Sequence, residues 1–190
     1  MADSKITALT EDTAPAITDL VATVEDPTGT PVTKKATLKT ILAILTTNLI
    51  GAKVYLSADM TNIGTSATKI TFNTEFFDTG SAFDTSTNTF TVPAGKAGYY
   101  MCSVNAYIYE TITDANLYKV FVYRNGAEVH EGNFSASGTN VAVTPNCMTV
   151  LHLDATDTIT FYAQSASANA DIYSANTHTW ALVQQLTQDL

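Results

Sequence analysis

The sequence predicts an all-β protein built as a sandwich, jelly roll or barrel, and three observations carry that prediction. From Lys53 to Leu186, short runs alternate apolar and polar side chains, the period of half-buried strands. Turn chemistry separates the runs: Gly64, Gly80, the Pro93-Ala94-Gly95 corner, Asn125-Gly126 and the stretch from Asp154 to Asp157. Charged residues make up only 14% of the chain and 45% is apolar, with abundant Thr, Ser, Asn and Ala, which suits sheets bearing small polar side chains on their solvent faces.

Three zones follow one another along the 190 residues. Residues 1–36 hold short apolar patches between Pro, Gly and charges, and no stretch is long enough to bury a core of its own. This zone is expected to be extended or poorly ordered alone, with Leu20 to Val24 suited to joining the sheet edge of another protein. The EDPTGTP segment is turn chemistry.

Residues 37–50, TLKTILAILTTNLI, are the helical candidate, with Thr37 as N-cap and Leu38, Ile41, Leu42, Leu45 and Leu49 forming one apolar stripe. Isolated helices this short are marginal. The stripe therefore packs either on its own domain or against copies of itself on a symmetry axis.

Residues 51–190 carry the strands. They are predicted near Lys53–Ala58, Lys69–Asn73, Asn88–Val92, Gly98–Glu110, Leu117–Arg124, Glu128–Asn133, Val141–Leu153, Thr158–Gln164 and His178–Leu186. Asn125-Gly126 between YKVFVYR and AEVHEG is a strong two-residue hairpin signal.

Charge and motifs exclude several functions. The net charge is -9, and residues 51–190 hold five basic against twelve acidic side chains, with Arg124 the single arginine. Nucleic-acid binding, which leans on Lys and Arg neutralising phosphate, is not expected, nor is adhesion to an anionic membrane. The apolar run from Ile41 to Ile50 is too short to span a bilayer, which takes about 20 residues. The opening residues MADSKITALTEDT lack the apolar core of a secretory signal. Cys102 and Cys147 read as two buried free thiols. His130, His152 and His178 show no metal-ligand spacing, and no nucleophile elbow, Walker loop or Cys-x-x-Cys occurs. Neither a cofactor nor an enzymatic activity is expected.

Ordered motifs then point to a family. Phe72-Asn73, an acidic-aromatic turn, Phe90-x-x-Pro93 and Gly98-Tyr99-Tyr100 follow in sequence. After them come Arg124-Asn125-Gly126 between two strands, Leu151-x-Leu153-x-x-x-Asp157-x-Ile159, and a closing strand HTWALVQQL. Over residues 53–187 the chain resembles the globular heads of the tumour-necrosis-factor and complement-component superfamily. Its closing strand departs from that pattern in lacking the usual Gly and extra aromatics. The resemblance implies an all-β, TNF-like jelly-roll sandwich that forms homotrimers and binds rather than catalyses. Some relatives bind calcium; here Asp78 and Asp84 share one loop, which reads as solvated.

The first zone is similar to a leader found on virion proteins of tailed bacteriophages. The matching positions are Lys5, Ile6, Leu9, Asp19, Asp26, Gly29, Thr30, Thr33, Lys34 and Lys35. The resemblance implies a virion-attachment arm using Lys5, Ile6, Leu9, Asp19, Val24, Asp26, Lys34 and Lys35, followed by a displayed head.

Within Gly98–Glu110, alternation puts Tyr100, Cys102, Val104, Ala106 and Ile108 on a core face. The other face carries Tyr99, Met101, Ser103, Asn105, Tyr107 and Tyr109, unusually aromatic for a solvated strand. In the family this outer face contributes to the trimer contact. Tyr99, Met101, Tyr107 and Tyr162 are therefore the expected interface, with Leu38, Leu42, Leu45 and Leu49 below them on the axis. The alternative is that these tyrosines simply cover a sheet. Trp180 fits either face of its strand, with the core the preferred placement.

Two functions follow as expectations. One is a bacteriophage capsid decoration, cement or head-fibre protein whose partner is the major capsid protein or another virion protein. The other is a tail-tip receptor-binding protein that grips a host surface glycan or protein with loops near Asn169 to Asn176 and Ser135 to Asn140. Either places the chain in the virion after synthesis in the host cytoplasm.

Overall fold

A computed structural model describes residues 20–25, 32–39, 49–110, 116–136, 141–166 and 170–189. The chain divides into two units, residues 1–48 and 49–190.

In the first unit β1 (Leu20–Glu25) pairs antiparallel with β2 (Val32–Thr37), in register from Leu20 opposite Thr37 to Glu25 opposite Val32. Leu20 to Val24, expected to suit the sheet edge of another protein, is strand and pairs here within its own chain. Thr37 closes β2 and Leu38 and Lys39 are helical, the change of backbone that an N-cap position makes. Leu42 and Leu45 lie outside the described residues, as do Lys5, Ile6, Leu9, Asp19 and Asp26.

The second unit opens with β3 (Gly51–Tyr55), β4 (Met60–Ile63), β5 (Thr68–Lys69), β6 (Thr74–Thr79), β7 (Phe83–Asp84) and β8 (Thr89–Thr91). There follow β9 (Gly98–Asn105), β10 (Ile108–Glu110), β11 (Asn116–Arg124), β12 (Ala127–Ala136), β13 (Val141–Val143) and β14 (Asn146–Leu153). The last are β15 (Thr158–Gln164), β16 (Ala170–Ile172) and β17 (Trp180–Gln188). One sheet has the order β14-β9-β17-β3-β6 and the facing one β12-β11-β15-β8-β7, with β5 beside β15. This is a jelly-roll sandwich. A small third sheet, β13-β10-β16-β4, stands beyond one end of β9.

The core fills the space between the two large sheets as alternation requires. Tyr100, Cys102, Val104, Ala106 and Ile108 are all fully buried, against Phe90, Val120, Val122, Ile159 and Phe161 from the opposite sheet. Phe90 meets Tyr100, and Phe72 meets Phe161, edge to face at centroid distances of 6.0 and 6.1 Å. The Tyr100 hydroxyl donates to the Lys96 carbonyl at the Pro-Gly corner. Cys102 and Cys147 are free and buried, and burial pushes their thiols up to about 12 and about 11, as for inert core sulfur.

The hairpin signal is realised by left-handed Asn125 and Gly126, φ +52° and +81°. Asp157, 8% exposed, locks this turn to the one before β15. Its carboxylate accepts from Asn125 Nδ2 at 2.6 Å, from Arg124 Nη2 at 2.5 Å and from the Asp154 amide at 2.8 Å. Burial works to raise the Asp157 carboxyl, but these donors outweigh it and hold it below the ordinary value.

Several predicted elements change. Gly98–Glu110 breaks at Ala106 and Tyr107, and Val141–Leu153 breaks at Thr144 and Pro145. The cause is shared: Pro145 has no amide to continue the ladder, and its carbonyl instead accepts from Ala106 N at 3.1 Å. Released there, β10 and β13 pair with each other in the small sheet. The predicted strand at Lys69–Asn73 is mostly irregular, with Ile70 and Phe72 buried, and the pairing runs on from Thr74 in β6. Within this unit, β4, β6, β7 and β16 fall in no predicted strand.

Trp180 is not core. Its neighbours Ala181 and Val183 face inward and are buried, so Trp180 points to the opposite side, with Lys53 Nζ 5.1 Å from its ring.

Candidate functional site

Two surfaces of the head stand out, one flat and one concave. The flat one is the outer face of the β14-β9-β17-β3-β6 sheet. Side chains directly opposite across a ladder share a face. Met101 stands between Val150 and Gln184, Ser103 between Met148 and Leu182, and Asn105 between Asn146 and Trp180. Tyr99 pairs with His152, their rings edge to face at 5.1 Å.

Strands β3, β9, β14 and β17 contain no Asp or Glu, and Lys53 is their single Lys or Arg. Tyr99, Met148, Val150 and Leu186 are exposed. On β6, at the edge of the same sheet, Phe76 is 63% exposed beneath the Lys53 ammonium. Grouped exposed apolar side chains of this kind are the composition that association surfaces share.

The structure thus groups Tyr99 and Met101, and adds Met148, Val150, Leu182 and Trp180, which sequence reading left out. Their signal was alternation in β14 and β17, read once the phase of Trp180 is set by its buried neighbours. Tyr162 does not join them. It lies on β15 in the opposite sheet, facing outward, its ring 4.2 Å from that of Tyr123. Tyr107 leaves the flat face as well, because the break between β9 and β10 turns it into the second surface. Leu38 is half-buried in the first unit and Leu49 half-buried at the start of the second. Val24, Lys34 and Lys35 sit in the hairpin, opposite Thr33, Thr23 and Ala22.

The concave surface is a groove of about 630 Å³ lined by Asp59, Tyr107, Tyr109, Asp171, Tyr173 and His178. It lies at the small sheet, past the Tyr55 end of β3, whereas Gly51 and Leu49 stand at the other end of that strand. A buried threonine sets its walls. The Thr179 hydroxyl accepts from the Tyr107 amide at 3.1 Å and donates to the Tyr173 carbonyl at 2.7 Å. The Tyr173 amide in turn donates to the Tyr107 carbonyl at 2.9 Å.

The two carboxylates are fixed by backbone donors. Asp59 accepts from the Ser174 amide at 2.6 Å, and Asp171 from the Asn62 amide at 3.0 Å. Hydrogen bonds from the Ser174 hydroxyl and amide hold the Asp59 carboxyl below its ordinary value, so it is charged at neutral pH. Ala175 holds φ +153°, a left-handed value that a non-glycine residue adopts at a cost of about 1–3 kcal/mol. Asp171 and Tyr173 fall in the loop segment expected to face a receptor, and Tyr109 on the aromatic outer face of Gly98–Glu110; nothing in the sequence singled out Asp59.

The remaining acids and histidines have local duties. Asp78 accepts from the Ala82 and Phe83 amides, each at 3.0 Å. Asp84 accepts from Ser86 and Thr87, and these bonds draw its carboxyl down to about 2. Both carboxylates thus close their own loop, and no group of three metal-binding side chains occurs among the described residues. His152 bonds Asp189 at 2.9 Å, and His130 lies on β12.

No family model and no curated protein matches this chain. Solved structures do, at low identity. Murine APRIL matches with a TM-score of 0.56 and 14% identity, over 73% of this chain and 100% of that one. The globular domain of zebrafish complement 1qA protein matches at 0.52 and 15% identity, over 74% and 99%. Eiger TNF from S. frugiperda matches at 0.52 and 10% identity, over 75% and 95%. The fold is therefore the TNF- and complement-type jelly roll. Identity this low establishes the architecture alone.

Proposed function

We propose that this chain is a bacteriophage structural protein, a homotrimeric capsid decoration, cement or head-fibre protein held to the particle by its N-terminal zone. The observation that carries the trimer is the outer face of the β14-β9-β17-β3-β6 sheet, where β14, β9, β17 and β3 hold no Asp or Glu and present Tyr99, Met101, Met148 and Val150. A buried aromatic contributes roughly 150–250 Å² at about 25 cal/mol per Å², so three copies of this face supply ample driving force. The same face of the TNF-like fold makes the trimer in the family the sequence resembles.

The virion assignment rests on the leader resemblance, from Lys5 and Ile6 to Lys34 and Lys35. In this reading the β1-β2 hairpin adds as a unit to a virion sheet through an edge that its own pairing leaves open. Two isolated strands are marginal in water, so the hairpin gains its stability on the particle. Lys34 and Lys35 pair there with acidic groups of the shell.

A tail-tip receptor-binding protein is the second reading. It is favoured by the groove, which lies at the far end of β3 from the residues where the chain enters the head.

Counting copies on purified particles by labelled electron microscopy separates the readings: hundreds mean capsid, a few tens or fewer mean tail. Deleting residues 2–36 is expected to leave a soluble trimer that no longer binds particles. Normal decoration by the truncated form would overturn the anchor.

A further inference from the structure

We propose that the groove at the small sheet is a binding site for a quaternary ammonium group of the choline type. This is a property of the head by itself and holds for either position on a virion.

The groove is large enough for a small organic ligand, about 630 Å³ against the several hundred that such sites occupy. Three of its rings stand steeply to one another. Tyr107 and Tyr173 cross at 62° with centroids 5.8 Å apart, Tyr107 and His178 at 83° and 5.2 Å, Tyr173 and His178 at 88° and 6.3 Å. Such rings make a corner rather than a platform. A neutral sugar stacks best on one broad open face, whereas a roughly spherical cation in a corner comes within about 6 Å of several rings at once.

Charge selects in the same direction. No Lys or Arg lines the groove, while Asp59 and Asp171 both do. Neither is ion-paired among the described residues. Each carboxylate already accepts a backbone amide, from Ser174 and from Asn62, which fixes its position. They act on a ligand mainly through charge, and the rings provide the contact. A lysine-type ammonium is compact, strongly hydrated and carries three donors that need acceptors. A quaternary ammonium has no donor and sheds its water readily, so aromatic walls backed by fixed negative charge suit it better.

The test is calorimetric titration of the full-length chain with choline, with its uncharged carbon isostere 3,3-dimethylbutan-1-ol, with Nα-acetyllysine amide and with glucose. Choline is expected to saturate one site per chain, about tenfold or more tighter than any of the other three. Tyr173 is half exposed and not part of the core, so its replacement leaves the core packing in place. Tyr173→Ala is expected to weaken choline about tenfold and Tyr173→Phe to retain it. Asp171→Asn keeps the acceptor for the Asn62 amide, removes a charge and is expected to weaken choline several-fold. Equal binding of the isostere, tighter binding of glucose or the lysine derivative, or no saturation by choline in protein with a native melting profile would each overturn the proposal.

Discussion

The flat sheet face and the end groove are both rich in aromatic side chains and both solvent-exposed in the single chain, yet they differ in what surrounds those rings. On the sheet face the rings lie among Met, Val and Leu, on strands β14, β9 and β17, which lack acids altogether. In the groove they meet at steep angles beside two charged carboxylates. A flat apolar face is complementary to another copy of itself. A concave, negatively charged one repels its own copy and suits a small cation. Exposed tyrosine alone therefore does not indicate an interface; the neighbours across the ladder and the nearest carboxylate decide.

The largest expected effect falls on the sheet face. Met101→Asp combined with Met148→Asp puts charge where the proposed trimer closes, at several kcal/mol per buried ion. Sedimentation should show monomers with an unchanged circular dichroism spectrum. Persistence of the trimer would move the interface elsewhere.

Next comes the turn that both surfaces depend on for a folded head. Asp157→Asn should lower stability by about 1–3 kcal/mol in denaturant titration, through weakened bonds to Arg124, Asn125 and the Asp154 amide. The sign with pH follows from the lowered carboxyl of Asp157. Its contribution is complete above the unfolded carboxylate value near pH 4 and is lost as pH falls through the lower folded value. The gap between native and variant stability should close over that acidic range. A constant gap would contradict the role of the charge.

Thr179→Val removes the hydroxyl that joins the Tyr107 amide to the Tyr173 carbonyl. A loss of about 1 kcal/mol is expected, with weaker choline binding and an intact trimer. A change in oligomeric state would mean that groove and interface are coupled.

Smallest of all is Tyr162→Ser. Because Tyr162 stacks on Tyr123 in the opposite sheet, sedimentation should not change and stability should fall by about 1 kcal/mol, the scale of one aromatic pair. Dissociation would restore Tyr162 to the interface.

Much of the head is legible in the residues. Alternation in GYYMCSVN gives both faces of β9 correctly, Asn125-Gly126 gives the hairpin, and Thr158–Gln164 is predicted to the residue. Less legible are the small sheet and Trp180. The predicted strand Val141–Leu153 runs straight through Pro145, and its contact with the Ala106 amide reveals that the ladder breaks there and that β9 ends at the same height. Strands β4 and β16 are three or four residues long, too short for a period to show. Large aromatic residues suit cores in general. Trp180 lies outside because Ala181 and Val183, further along the same strand, take the inward phase and leave Trp180 and Leu182 on the other face.

The sequence by itself determined the fold class, the inward face of the central strand and the Asn125-Gly126 turn, because period and turn chemistry are local properties. Tertiary structure alone decided which tyrosines share a surface. Tyr99, Tyr107 and Tyr162 are equivalent as residues, and they part company only when ladder breaks and sheet order assign one to a flat face, one to a groove and one to the opposite sheet. Those assignments arise from pairings between residues far apart in the chain, which no local pattern encodes.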